Sequence, residues 1–282
     1  MIEVFDRIPT YPGRVKLIPV PGQENTFDLV RADAPIEVGT PINRALFESI
    51  NSDLAALKQN VANIISAHAS LAEIGSLPAG TEFGIYENNI LVPYIKVTGD
   101  YSGTGRSAVI RKHIYKMAFL STSTQGTKYV NSSTDSWLNN EFLGLLETRV
   151  RDAIEAVEIT CTVGGGSNAF QTVQRKVFLP SVTECAIADS DYGEEGGPFP
   201  YFNSDERRMA LFNGELEYYW TRSPNRAYSG YMGAIDVQGY TAMGTPAKTQ
   251  WGIRPVFTLP YNFEVTMSEP SAANVNATAG VI

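Results

Sequence analysis

Few residues in this chain are of the types that catalysis at neutral pH requires. Its 282 residues include two histidines, His68 and His113, and two cysteines, Cys161 and Cys185. A nucleophilic triad needs a positioned base. These two imidazoles are the only candidates, and both lie where a structural role is the plainer reading: His113 follows Arg111 and Lys112 in a strand-like run, and His68 sits near the end of a helical pattern. A single disulfide would be an unusual staple for a domain this large, so the two cysteines read as buried free thiols. Four carboxylates, Asp189, Asp191, Glu194 and Glu195, crowd one Gly-rich stretch. Glycosidase chemistry places two carboxylates across a cleft, whereas carboxylates crowded in one loop read as a solvated acidic face. The loop has oxygens enough for calcium but lacks an ordered ligand spacing. No cofactor is therefore expected, with calcium the one metal left open. Gly164-Gly165-Gly166 has no Lys-Ser/Thr and no helix start behind it, so it reads as a hairpin turn and not as a phosphate loop.

The residues that point to binding lie later. Residues 225–251 hold three Tyr, one Trp, four Gly and only three charges, among many Ser, Thr and Ala. Tyr and Trp give large, rigid contact area at low entropic cost, and small residues let loops adapt, so this is the composition of a recognition surface. Tyr228, Tyr231, Tyr240 and Trp251 are the expected anchors. Arg226, Asp236, Gln238, Thr245, Lys248 and Gln250 are the expected polar contacts. Any one of the tyrosines is as well explained by packing. Alternation through Ile235 and Val237 points those two inward, and Tyr231 can follow them.

These residues need elements to position them. A formal net charge of −8 argues against nucleic acid and against an anionic membrane surface as partners. No apolar run approaches the length of a spanning helix, so no membrane insertion is expected. The N-terminus lacks the basic start and apolar stretch of a signal peptide. The first forty residues read as short extended pieces broken by Pro-Gly turns, with a strand at Phe27-Asp28-Leu29-Val30. Thr40-Pro41 then has the form of a helix N-cap and first turn. Phe47, Ile50, Leu54, Leu57, Val61 and Ile64 come next at alternating spacings of three and four, the seam of a coiled coil. One face of a helix packed on its own domain would place the same residues, but the seam is narrow and the opposite face polar, which favours self-association.

From residue 77 the pattern becomes that of a compact mixed domain. A hairpin is expected over 81–98, a strand over 107–112, a helix over 134–157 broken near Gly144, and strands over 157–163 and 175–179. A capping box at Ser181-Val182-Thr183-Glu184 should open a short helix. A further helix is expected over 204–212, with strands over 218–223, 233–237 and 252–259. The end of the chain, rich in small polar residues, should be loose.

Four blocks in this region, Asp135-Ser136-Trp137-Leu138-Asn139, Arg175-Lys176-Val177-Phe178-Leu179-Pro180-Ser181, Tyr219-Trp220-Thr221-Arg222-Ser223-Pro224 and Gly252-Ile253-Arg254-Pro255-Val256-Phe257, resemble in order and spacing a family of C-type-lectin-fold domains. That family includes the variable proteins of diversity-generating retroelements, among them tropism determinants of phage tails. The resemblance implies that Trp137, Trp220, Arg222 and Arg254 are framework and that the segment between the last two blocks is displayed and diversified. The fold is shared with formylglycine-generating oxidases, which use two cysteines late in the domain. Here nothing after Cys185 can act as a thiol, so no enzymatic activity is expected. Separately, Phe5-Asp6-Arg7-Ile8-Pro9-Thr10-Tyr11-Pro12-Gly13-Arg14, with Arg31-Ala32-Asp33 and Gly39-Thr40-Pro41-Ile42-Asn43, resembles the attachment end of phage tail-tip and fibre proteins.

The expectation is thus an α+β protein in four parts. They are a virion attachment segment (1–40), a coiled-coil helix (41–74), a C-type-lectin-like domain (77–262) and a flexible tail (263–282). Its partners would be a host-cell surface glycan or protein and other tail proteins; the alternative is a structural tail or baseplate component whose lectin-like domain only packs on neighbouring subunits. It would assemble in the host cytoplasm into the phage tail, as a homotrimer if the resemblance holds.

Overall fold

The computed structural model describes residues 8–9, 15–31, 35–37, 44–69, 71–122 and 127–267, with side chains described over 16–28, 47–61, 71–122 and 127–267. The remaining residues of the proposed attachment segment, the Thr40-Pro41 cap and the tail beyond 267 lie outside the described residues. The chain forms two compact units, residues 1–68 and 69–282.

In the first unit β1 (Ile8–Pro9), β2 (Val15–Pro19), β3 (Phe27–Arg31) and β4 (Pro35–Glu37) form two separate pairs, β1 with β4 and β2 with β3. The β2–β3 hairpin leaves Leu17 and Phe27 exposed. Next comes α1 (Arg44–Ala69); of the 41–74 expected, residues 41–43 lie outside the described residues, and Leu71–Glu73 form a strand instead. Its seam side chains Phe47, Ile50, Leu54, Leu57 and Val61 are all exposed, Phe47 and Leu57 at 58% and 59%. Ile64 lies on the same helix, its side chain outside the described residues. Among the described residues, no helix is long and apolar enough to cross a membrane.

The second unit is a mixed α+β fold dominated by sheet. Its strands are β5 (Leu71–Glu73), β6 (Glu82–Glu87), β7 (Ile90–Thr98), β8 (Arg106–Arg111), β9 (Lys116–Phe119), β10 (Val157–Thr162), β11 (Phe170–Arg175), β12 (Val177–Phe178), β13 (Leu211–Phe212), β14 (Glu215–Leu216), β15 (Tyr219–Pro224), β16 (Met232–Ile235), β17 (Thr241–Gly244), β18 (Gln250–Ile253), β19 (Val256–Pro260) and β20 (Glu264–Thr266). Seven form one sheet in the order β12-β19-β8-β7-β6-β20-β5, and five form another in the order β17-β16-β15-β18-β9. The apolar runs of β7 and β19 suit strands buried on both faces, and β8, apolar only at Ala108, Val109 and Ile110, is nevertheless buried throughout. A single core runs through both sheets, from Ile74 and Tyr94 to Trp220 and Phe257.

The helical stretch departs from its periodic pattern. It consists of α2 (Ser133–Trp137), a π turn over Leu138–Phe142, α3 (Leu143–Leu145) and α4 (Thr148–Ala153). The break falls at Leu146, with φ −71 and ψ 144, and not at Gly144. Leu146 is bridged to Glu87 of β6, and that long-range pairing overrides local helix propensity. The expected 175–179 strand is split: β11 ends at Arg175 in a hairpin with β10, and β12 pairs with β19. The expected 252–259 strand is likewise divided at Arg254-Pro255, where the chain passes from one sheet to the other. Residues 204–212 are not one helix: they form α5 (Asp205–Arg208) and then β13.

The sheet also takes up residues on both sides of the 77–262 expected. β20 pairs with β5 through Glu264↔Glu73, Val265↔Ala72 and Thr266↔Leu71, and Val265 is buried. The start of the expected tail is therefore part of the fold.

Candidate binding surface

Of the residues expected to be framework, Trp220, Arg222 and Arg254 are buried and their polar groups are used. Trp220 donates from Nε1 to the Ala118 carbonyl at 3.0 Å. It pairs across the sheet with Ala234, which pairs with Ala242, small residues that leave room for the indole. Arg222, fully buried, meets the fully buried Glu184 through Nη2–Oε1 at 2.8 Å and Nη1–Oε2 at 2.5 Å. Its remaining donors go to the carbonyls of Thr160, Leu179 and Glu195. A buried ion pair is tolerable only when every remaining donor and acceptor is satisfied, and here Tyr101 and the Ser181 backbone also donate to Glu184. Arg254 is 1% exposed. It donates to the Arg111 and Arg208 carbonyls and the Tyr219 hydroxyl, with its guanidinium over the Tyr219 and Phe202 rings. Trp137 is half-buried, with the Lys116 ammonium 3.6 Å above its ring.

The capping box forms reciprocally, Ser181 Oγ accepting from Glu184 N at 2.9 Å and Glu184 Oε2 accepting from Ser181 N at 3.1 Å. It opens a set of turns over 182–186 and not a helix. The Glu184 carboxylate serves Arg222 as well as the cap.

Segment 225–251 contributes β16, β17 and the first half of β18, with β17 at the sheet edge. Its expected contact residues divide between two ends of the sheet. The 225–231 loop joins β15 to β16 at the end where Met232 pairs with Gly244. The 236–240 turn joins β16 to β17 at the opposite end, where Ile235 pairs with Thr241. Four strand residues separate them, roughly 13 Å at the usual rise.

At the first end Asn225, 1% exposed, ties the loop. Its Oδ1 accepts from Tyr228 N at 2.7 Å and its backbone N donates to the Tyr231 carbonyl at 3.0 Å. This local side-chain bond is the turn chemistry of asparagine. Tyr228 and Tyr231 project outward, 53% and 39% exposed, and meet edge to face at 6.3 Å. Tyr231 therefore does not follow Ile235 inward. The Gly164-Gly165-Gly166 turn braces this loop: a Cβ on Gly165 would lie 2.3 Å from the Ser229 carbonyl oxygen, and Gly166 N donates to the Asn225 carbonyl at 3.0 Å.

At the second end Asp236 turns the chain. Its Oδ1 accepts from Gln238 N at 2.8 Å and from Tyr240 N at 2.9 Å. Gly239, at φ +84, lies against Asp205, whose carbonyl oxygen would be 2.2 Å from a Cβ there. Gln238 and Tyr240 are exposed, and the Asp205 carboxylate beside the Tyr240 hydroxyl raises its pKa. Back at the first end, where β17 finishes at Gly244, Thr245 begins the turn towards β18, its carbonyl accepting from Lys248 N at 3.1 Å. Lys248 and Gln250 are exposed. Trp251 is packing on at least one face, stacked on Tyr218 at 5.2 Å and tilted against Trp220 at 4.6 Å.

The acidic loop belongs to the same surface. Asp189 accepts from the Thr241 hydroxyl at 2.8 Å, Tyr192 donates to the Ala242 carbonyl at 3.1 Å, and Arg226 N donates to the Asp191 carbonyl at 2.7 Å. Burial pushes the Tyr192 hydroxyl pKa up, offset in part by a hydrogen bond from Asn225. Glu195 is not solvated as expected but fully buried, accepting from Thr162 N at 2.5 Å and Ser223 Oγ at 2.6 Å. Burial raises its pKa against the opposing pull of Arg222 and these bonds. Between loop and sheet lies a cleft of about 1120 Å³, lined by Phe170, Ile187, Asp189, Tyr192, Glu194 and Arg226 among others. The sequence pattern did not mark Asn225, Glu184 or Glu195 as site residues. Only Glu184 carried a local signal, its capping box.

Among the described residues, no three His, Cys, Asp or Glu side chains are grouped as a metal would require. Cys161 and Cys185 are buried and unlinked, and burial raises both thiols to about 12.

The chain matches no curated protein and no solved structure. Residues 104–261, from β8 to the end of β19 and more than half of the sequence, match the family model described as Domain of unknown function (DUF6273). That span includes the cleft, its acidic loop and both ends of the outward-facing segment, and the chain belongs to the DUF6273 family.

Proposed function

We propose that this protein binds a host-cell surface ligand as a receptor-binding component of a phage tail, without catalysis. The observation that carries the binding reading is the Tyr228–Tyr231 pair, presented outward on a loop tied by Asn225 and braced by Gly165 beside an open cleft. Rigid aromatics on a preorganised loop above a buried polar framework are what a recognition surface needs, because little entropy is lost on binding. A C-type-lectin-like fold and a diversified 225–251 segment belong to the same reading, on the resemblance of the four sequence blocks. The placement on a phage tail rests on the N-terminal resemblance.

Five large apolar side chains exposed along one stripe of α1 favour a coiled coil with further copies of this chain. A trimer would present several surfaces at once and convert modest contacts into durable attachment. The test is binding of the purified chain to candidate host cells. Saturable binding that Tyr228→Ala and Tyr231→Ala abolish supports the proposal. Absence of binding to every host tested, or binding indifferent to both substitutions, refutes it.

A further inference from the structure

The Arg226 guanidinium lies over the Phe170 ring, its central carbon 5.2 Å from the centroid, at the wall of the 1120 Å³ cleft. Its Nε is shut off from solvent and has no hydrogen-bond partner among the described residues. Buried donors are almost always paired, and an unpaired one is destabilising. Asp189 and Glu194 line the same cleft yet leave this donor free. Asp189 is engaged elsewhere, accepting from Asp191 N at 3.0 Å and from Thr241 at 2.8 Å.

We infer that this cleft takes an acidic saccharide of the uronic-acid class, its carboxylate on Arg226 and its hydroxyls on the acidic loop. The inference deepens the proposed binding function and rests on it. The Nη1–Nη2 edge of the guanidinium, which unlike Nε is not enclosed, presents two parallel donors that match a carboxylate. The surroundings select further. One arginine shares the cleft with Asp189 and Glu194 on a chain of net charge −8, which repels a phosphate dianion or an acidic peptide. A sugar carrying one carboxylate and several hydroxyls meets both signs: its carboxylate pairs with the cation, and its hydroxyls donate to the carboxylates. Phe170 is 44% exposed and offers ring surface for the sugar's C–H face. The cleft is larger than one hexose requires, so a short oligosaccharide fits the volume.

The full chain can be titrated with glucuronate, with glucose and with an oligoglutamate peptide, followed by amide chemical shifts. Saturable glucuronate binding is expected, with glucose weaker by roughly tenfold or more and no saturation by the peptide. Arg226→Gln should weaken glucuronate by roughly tenfold to a hundredfold. Arg226→Lys, which keeps the charge and the fold but not the planar fork, should fall between. Absence of glucuronate binding, equal affinity for glucose or the peptide, or full affinity in both variants overturns the assignment. Tyr228-dependent cell binding without glucuronate binding sinks the saccharide and leaves the display reading standing. Glucuronate binding that needs Arg226, in a chain that attaches to no cell, supports the saccharide site and removes the display reading.

Discussion

The Asp189 carboxylate accepts the Thr241 hydroxyl at 2.8 Å, and that bond fastens the acidic loop to the edge strand of the five-stranded sheet. Some 50 residues separate the two in sequence, and an edge strand with unpaired backbone is otherwise open to association. Replacing either partner, by Asp189→Asn or Thr241→Val, should lower stability. The two together should cost less than the sum, with a coupling of about 1 kcal/mol. A double-mutant cycle in urea denaturation measures it, and strict additivity would show that the contact contributes nothing.

Arg222 and Glu184 are both wholly buried. Arg222→Met strands the carboxylate and should destabilise by about 3–5 kcal/mol. Arg222→Met combined with Glu184→Leu should recover part of that loss, since the Glu184 carboxylate is then no longer stranded, while Glu195 keeps its own bonds from Thr162 and Ser223. Chemical denaturation reads both, and a double variant worse than the single would contradict the reasoning.

Tyr228 and Tyr240 stand at opposite ends of β16 and β17. If both touch receptor, Tyr228→Ala and Tyr240→Ala should each weaken cell binding, by about 2 kcal/mol for a central anchor, and their effects should add because the sites share no partner. Melting temperatures should stay close to wild type, since both rings are more than half exposed at 53%. Equilibrium binding to whole cells separates a two-ended footprint from one confined to the Tyr228 end, where Tyr240→Ala would be silent.

Leu54→Glu and Leu57→Glu place charge in the exposed stripe of α1. Light scattering should show the oligomer replaced by monomer, because a charge at a seam position loses its apolar contact and is costly to bury. An unchanged mass would remove the coil from the reading.

Burial lowers the His113 pKa from an ordinary 6.5 to about 4, helped by Lys112, Arg111 and Arg254 and opposed by Glu82. The folded state thus binds this proton less well than the unfolded chain. The resulting stability is whole above pH 6.5 and drains away as pH falls towards 4. Wild type should lose melting temperature across that window, and His113→Gln should lose less. Parallel curves for the two proteins would assign the acid sensitivity elsewhere.

Legibility in the sequence tracked the range of the interactions. The β6–β7 hairpin spans consecutive apolar runs joined at Glu87-Asn88-Asn89, and it lies where its pattern indicated. β9 and β17 escaped notice because Lys116-Met117-Ala118-Phe119 and Thr241-Ala242-Met243-Gly244 carry little strand signature. Register with neighbours far along the chain is what makes them strands. The helix break at Leu146 was invisible for the same reason, since its cause is Glu87. Composition marked 225–251 as a surface but could not show that it wraps two ends of a sheet. Nor could spacing show that four crowded carboxylates sort into one fully buried acid, Glu195, and a rim fastened to Thr241.

The pairing of Leu71 with Thr266 brings the incoming and outgoing chain of the second unit one strand spacing apart, about 5 Å. Such a unit behaves as a cassette. It can be spliced into a surface loop of a different carrier, or have its ends joined and be reopened elsewhere, while disturbing a single junction. Its tyrosine-bearing loops would travel with it unchanged.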